Sequence, residues 1–323
     1  MKAVVQDRYG PPGEVLATRD LDEPVPGRKQ VLVEVKAASV NGGDAALVKG
    51  MPYVIRLGTG LTRPRRGLPG NDISGVVLAV GEDVSGLSPG DSVFGKGEGA
   101  FAEVVVAHQQ RIVVKPEGVS FEQAASLPVA GLTALQGLRD AADVQPGQRV
   151  LVNGASGGVG TFAVSVAKVL GAEVTAVCSS RNVEMAWSLG ADHVIDYTED
   201  DFLDTDTEFD VVFDNAASRS LSETRNVLTR RGVLIPNNGN LHSRWLASLP
   251  TMAAAVVSSP FVSQSIKLNV QTWNRDDLTE MGRLVATGQV SPYIERTYGL
   301  AETGEAVEYV GEGHARGKVV ITV

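Results

Sequence analysis

Arg149 to Gly171 reads RVLVNGASGGVGTFAVSVAKVLG, and the fold turns on how this stretch is read. Val150, Leu151 and Val152 form a short apolar run that predicts a strand. Gly154, Gly157, Gly158 and Gly160 follow, in a turn whose missing Cβ atoms let the backbone bend sharply and come within hydrogen-bonding distance of an anion. Apolar residues then recur at Val159, Phe162, Ala163, Val166, Ala167 and Leu170, spacings of three and four that give a helix one buried stripe. The N–H groups at the start of such a helix lack intrahelical partners and suit the phosphates of a dinucleotide. Taken alone, the glycines are equally those of an ordinary tight loop. The next strand, Glu173 to Cys178, completes the βαβ unit that a dinucleotide fingerprint requires. A nucleoside-triphosphate loop is disfavoured, because Thr161 and Phe162 follow Gly160 where Lys and then Ser or Thr are needed.

The rest of the chain sets wider bounds. Its 323 residues suffice for two domains, and a 43% hydrophobic content is ordinary for a globular protein. A net charge of −9 argues against nucleic acid as a partner, since phosphate neutralisation needs a clustered excess of Lys and Arg. The short basic cluster Arg63, Arg65 and Arg66 reads as a solvated loop. Cys178 is the only cysteine, which excludes an intrachain disulfide and suits a reducing, cytoplasmic setting. The N-terminus, MKAVVQDRYG, lacks the apolar core of a signal peptide, and Met252 to Val257 is too short to span a bilayer. A soluble protein with no membrane partner is expected.

Up to about residue 120, short strands alternate with glycine and proline turns: Lys2 to Gln6, Gln30 to Ala37, Gly75 to Val80, Asp91 to Phe94 and Phe101 to Val106. This pattern predicts a small β-barrel. Helices are expected at Phe121 to Leu127, Gly131 to Ala142 and Ser218 to Leu228, alternating with strands at His193 to Asp196, Asp210 to Asp214, Val233 to Pro236 and Ile266 to Val270. That alternation predicts an α/β fold with a doubly wound parallel sheet. A helix at Asp276 to Thr287, the segment Tyr293 to Tyr298, a helix from Ala301 and a strand at Lys318 to Val323 make a tail too small to fold alone. The expected organisation is a β-rich domain over 1–121, a Rossmann-type domain over 122–270 and a return to the first domain over 271–323, with a cofactor cleft between two lobes.

The motifs SVNGGD at 39–44, GND at 70–72, SLPVAGLTA at 126–134, GASGGVG at 154–160, SSRN at 179–182, LGADHVIDY at 189–197 and HARGKVVI at 314–321 occur together. Through them the chain resembles the medium-chain dehydrogenase/reductases, and within them the zinc-free quinone oxidoreductase branch that includes the reticulon-interacting quinone-reductase-like proteins. The resemblance implies a GroES-like barrel for the N-terminal domain, a Rossmann-type domain for the cofactor, and often a homodimer. Zinc-dependent relatives place their catalytic ligands at positions matching Asn41, Asn71 and Val129. Amide and valine side chains cannot replace thiolate and imidazole, so no metal is expected. His108, His193, His242 and His314 are scattered in sequence.

An NAD site usually carries an acidic residue about 20 positions beyond its glycine turn, to bind the ribose 2′-hydroxyl. That place reads Cys178-Ser179-Ser180-Arg181 here, and two hydroxyls with a guanidinium suit a 2′-phosphate, so NADPH is the expected cofactor. A helix-capping serine followed by a surface arginine is the alternative. The resemblance further implies that Ser156, Gly157, Gly158 and Val159 line the pyrophosphate, Tyr197 the adenosine side, and Thr133 and Asn237 the nicotinamide side. It places His314 and Arg316 over the phosphate end and makes Asn215 a further candidate. Tyr197 is alternatively an aromatic closing a strand end against the core.

Without a metal, the substrate must already be electrophilic, as a quinone or an α,β-unsaturated carbonyl is. Asn41 is the candidate donor to its oxygen, or else a turn former in Asn-Gly-Gly. Asp44 and Asp72 are expected to brace the site, and Tyr53 is a candidate proton donor or substrate clamp. Residues 50–68 and Trp245 to Phe261 are expected to shape the substrate pocket. The expected function is zinc-independent, NADPH-dependent reduction of a quinone or enone. Reduction of aldehydes or ketones, and an NADPH-binding regulatory or structural role with little turnover, remain open.

Overall fold

The structure, a computed structural model, describes residues 1–65, 67–237 and 263–323. Arg66, His242 and the pocket segment Trp245 to Phe261 lie outside the described residues. The chain divides into two compact units, one of residues 1–132, 272–288 and 292–323, the other of residues 133–271 and 289–291.

The first unit opens with a hairpin of β1 (Lys2–Gln6) and β2 (Leu16–Asp20). Its main sheet has seven strands: β3 (Gln30–Val40), β4 (Asp72–Val80), β5 (Ser92–Lys96), β6 (Val104–His108), β7 (Ile112–Val114) and, after a long interval, two strands of the tail. In β3, Val31, Val33 and Val35 are buried and alternate with half-buried neighbours, the period of two that a strand with one core face requires. Ser39 of β3 stands opposite Asp72 of β4, which brings together two stretches more than thirty residues apart.

The second unit is a parallel sheet of β8 (Arg149–Asn153), β9 (Glu173–Cys178), β10 (His193–Asp196), β11 (Phe209–Asp214), β12 (Leu228–Pro236) and β13 (Ser265–Ile266). In space they run β10-β9-β8-β11-β12-β13. Counted from β8 this order is 3-2-1-4-5-6, the doubly wound arrangement in which chain direction across the sheet reverses between β8 and β11. Val150, Leu151 and Val152 are fully buried, as strands covered on both faces must be. The helix Gly158–Val169 buries Phe162, Ala163, Val166 and Ala167.

The tail supplies β14 (Ile294–Gly299) and β15 (Lys318–Thr322), which pair with each other in parallel, and β15 then pairs antiparallel with β3. The helix expected over Ser218 to Leu228 covers only Leu221–Arg225. Leu228 instead starts β12, where it pairs with Phe209 and packs into the buried cluster around Leu151 and Val212. Its side chain satisfies an apolar helix stripe and an apolar strand face equally, and sheet pairing decides between them. No helix among the described residues is long and apolar enough to cross a membrane.

Candidate functional site

Within the second unit, the chain leaves β8 through Gly154, whose φ of +74° only glycine adopts without strain. A Cβ on Gly160 would lie 2.1 Å from the Gly154 carbonyl oxygen, so the turn closes only with glycine there. Gly157 occupies the cap position of the helix Gly158–Val169. Ser156, Gly157, Gly158 and Val159 are half-exposed, leaving the helix's first N–H groups at an accessible edge of the sheet's reversal point.

Beside them, Asn153 Nδ2 donates to Asp214 Oδ1 at 2.8 Å, joining the ends of β8 and β11. The same oxygen accepts from the backbone N–H groups of Ala216 and Ala217 at 3.2 and 3.0 Å. Burial raises the Asp214 carboxyl above its ordinary range against the pull of these bonds. Asn153 and Asp214 escaped sequence reasoning, although both stand at the carboxyl ends of strands flanking the reversal point, where doubly wound sheets hold ligands.

Thr133, Asn215 and Asn237 come together through a residue not anticipated from sequence. Asn237 Nδ2 donates to Asn215 Oδ1 at 2.7 Å, and Asn269 Nδ2 reaches both the Thr133 carbonyl oxygen at 2.8 Å and Asn237 Oδ1 at 3.4 Å. Ser179 and Ser180 follow β9, with Ser179 half-exposed and Ser180 and Arg181 exposed. Ser180 Oγ lies 2.8 Å from Thr198 Oγ1, and hydrogen bonding to Ser180 and Thr198 holds the Asp196 carboxyl below its ordinary range. Tyr197 is 60% exposed, so it does not close a strand end against the core.

The first unit contains a separate polar cluster. Asn41 opens the helix Gly42–Lys49, and its backbone N–H donates to Asp44 Oδ2 at 2.8 Å. Its side chain turns elsewhere: Nδ2 donates to Asp72 Oδ2 at 2.9 Å, while Oδ1 accepts from Lys318 Nζ at 2.7 Å. Asp72 Oδ2 also accepts from Ser39 Oγ and from the Val129 backbone N–H, each at 3.3 Å. Asn71 Nδ2 donates to Asp44 Oδ1 at 3.4 Å. Asn41, Asn71 and the Val129 backbone N–H therefore converge on Asp44 and Asp72. Burial pushes the Asp44 carboxyl up to about 6 and also raises that of Asp72. Lys318, 2% exposed and 3.9 Å from Asp72 Oδ2, has its ammonium pushed below its ordinary range by burial, against the pull of both carboxylates.

This donor set does not suit zinc. It offers carboxamides and carboxylates without thiolate or imidazole, and the buried ammonium would repel a second cation. Among the described residues no group of three or more His, Cys, Asp or Glu side chains could hold a metal ion.

Tyr53 lies in the turn Tyr53–Ile55, with its ring over the Arg56 guanidinium, 4.8 Å from centroid to Cζ. His314 is exposed. The Arg316 backbone N–H donates to Glu295 Oε2 at 2.7 Å, and its guanidinium lies 5.6 Å from the centre of the Tyr293 ring.

A doubly wound dinucleotide sheet in one unit, and in the other a mainly antiparallel sheet closed by the chain's own tail, define a class of two-unit nicotinamide-dependent dehydrogenases and reductases. Residues 27–117 match the family described as alcohol dehydrogenase GroES-like domain, and residues 189–321 the family described as zinc-binding dehydrogenase. The chain is 32% identical to a mitochondrial NAD(P)H oxidoreductase, RTN4IP1, of Mus musculus, over 100% of this chain and 89% of the relative. It is 32% identical to a 2-methylene-furan-3-one reductase of Solanum lycopersicum, over 99% of this chain and 79% of that one. The structure of the quinone oxidoreductase from Coxiella burnetii superposes with a TM-score of 0.86 at 33% identity, covering 100% of this chain and 99% of the other. The chain belongs to the medium-chain dehydrogenase/reductase superfamily, in its quinone-oxidoreductase-like branch.

Proposed function

We propose that this oxidoreductase is a zinc-independent, NADPH-dependent reductase of quinones or α,β-unsaturated carbonyls. The observation that carries the proposal is the Asn41 cluster, where carboxamides and a lysine, with no thiolate or imidazole among them, surround two buried carboxylates. The names of the relatives, an NAD(P)H oxidoreductase and an enone reductase, support the same class of reaction.

The tight glycine turn supports pyrophosphate binding, since its missing Cβ atoms let the backbone approach an anion closely. Backbone N–H groups at Ser156 to Val159 would hold the phosphates, and Ser179, Ser180 and Arg181 the 2′-phosphate. Thr133, Asn215 and Asn237, tied together through Asn269, would hold the nicotinamide side. Tyr197 would lie along the adenosine, and His314 and Arg316 would cover the phosphate end. When bound, the cofactor supplies a hydride. Asn41 would donate to the acceptor's oxygen as negative charge builds there, Asp44 would brace Asn41 through its backbone N–H, and Tyr53 would supply a proton or clamp the substrate. The proposed setting is a cytoplasmic homodimer.

The test follows NADPH absorbance with 1,4-benzoquinone, 3-buten-2-one and a saturated aldehyde, each with and without a chelator. The expected result is turnover of the quinone or the enone, unchanged by chelation. A rate that disappears with chelator, or turnover of the saturated aldehyde alone, overturns the proposal. Tight NADPH binding without turnover on any acceptor would assign a binding role instead.

A further inference from the structure

We infer that Lys318 is a positioning residue for Asn41, acting with Asp72 to fix the carboxamide so that one N–H stays ready for the acceptor's oxygen. The inference rests on the reductase reading above. It begins with a charge in an unusual place, since a lysine at the start of a strand normally reaches solvent. Lys318 is instead 2% exposed, beside an Asp72 that is fully buried. Burying an ammonium is costly unless it is paired and hydrogen-bonded, and three groups meet this one: Asn41 Oδ1 at 2.7 Å, the Val40 carbonyl oxygen at 3.4 Å and Asp72 Oδ2 at 3.9 Å.

The two charges decide which way the amide points. Oδ1 faces the ammonium and Nδ2 faces the carboxylate. A flipped amide would set N–H groups against the ammonium and an oxygen against the carboxylate, so both contacts would become repulsive. One Nδ2 hydrogen is taken by Asp72, and the second is left for a ligand of the half-exposed side chain. The ammonium on Oδ1 also draws electron density through the amide and strengthens Nδ2 as a donor. Asp72 cannot fill this role alone. Its Oδ2 already serves Ser39, Asn41 and Val129, while its Oδ1 has no partner among the described residues. Lys318 thus places a protein-borne cation directly against the Asn41 carboxamide and beside Asp72.

The experiment compares Lys318→Met, Asp72→Asn and the charge-neutral double variant Lys318→Met/Asp72→Asn, each with Asn41 intact or changed to Ala. Replacing both members of a buried ion pair is commonly tolerated, so the double variant keeps the test alive if Lys318→Met fails to fold. With Asn41 intact, kcat on quinone or enone should fall about a hundredfold, the scale of losing one oxyanion donor, while the Kd for NADPH stays within about twofold. In the Asn41→Ala background the same changes should cost less than about threefold, because the group they position is gone. A double variant with wild-type kcat overturns the inference, as does a loss of equal size with and without Asn41.

A second readout needs no turnover. In wild-type protein labelled with 15N at asparagine, the Asn41 side-chain amide is assigned by its disappearance in Asn41→Ala. Its proton shifts should move in Lys318→Met, and should differ between Asp72→Asn and the charge-neutral variant, while shifts that do not depend on Lys318 in either comparison overturn the inference. A wild type inactive on both acceptors, with the amide still responding to Lys318, would refute the reductase reading and leave the clamp standing.

Discussion

At the scale of single residues, Asp44 ties stability to pH. Burial lifts its carboxyl to about 6, although the Asn41 N–H donates to it. A carboxyl higher in the folded than in the unfolded protein, where it lies near 3.9, contributes stability that is present below about pH 4 and is lost as pH rises through about 6. The difference is on the order of 3 kcal/mol. Asp44→Asn cannot ionise, so urea unfolding should show the free-energy gap between variant and wild type moving in the variant's favour by about 2 to 3 kcal/mol from pH 4 to pH 7. A gap equal at both pH values would remove Asp44 as the source. At the proposed cofactor end, the exposed Arg181 carries the positive charge that would distinguish NADPH from NADH. KM values for both cofactors should show Arg181→Ala losing roughly ten- to hundredfold in selectivity, and unchanged selectivity would exclude it from the site. Asn41 and Asp44 were legible because both fall in one short motif. Lys318 was not, because a strand-initial lysine looks like a surface residue until β15 pairs with β3, and its partner Asn41 is 277 positions away.

At the scale of elements, the strand-turn-helix was legible because its causes are local: apolar runs set the strand and helix, and missing Cβ atoms set the turn. The helix Gly42–Lys49 is not legible in the sequence, since Gly42-Gly43 opens it with two poor helix formers, and the Asp44 carboxylate on the Asn41 N–H starts it regardless. β12 was read short because Leu228 carries no sign of its cross-strand neighbour Phe209. The glycine turn makes a paired prediction. Gly160→Ala puts a methyl 2.1 Å from the Gly154 carbonyl oxygen, and Gly157→Ala meets nothing closer than 3.6 Å. Denaturant unfolding should show Gly160→Ala losing about 1 to 3 kcal/mol by overpacking. Gly157→Ala should cost less than about 1 kcal/mol, the scale of a weakened helix cap. Equal losses would mean that the close approach of Gly154 and Gly160 does not govern the turn.

At the scale of the whole molecule, the chain divides its work, with the doubly wound sheet and the buried Asn41 cluster belonging to different compact units. Under the proposed function this division has a thermodynamic consequence. A ligand that binds only the folded state stabilises it by RT ln(1 + [L]/Kd), about 2.7 kcal/mol at a hundred times Kd. NADPH at that excess should raise the melting temperature, and the gain should shrink in Arg181→Ala, whose Kd is weaker. Amide hydrogen exchange can then show where the cofactor rests. Slowing should concentrate in peptides spanning 154–162 and 179–182, because the backbone N–H groups at the helix start and the loop after β9 are the proposed phosphate holders. Slowing that spares both peptides while the melting temperature still rises would place the cofactor elsewhere on the chain and remove the glycine turn from the proposal.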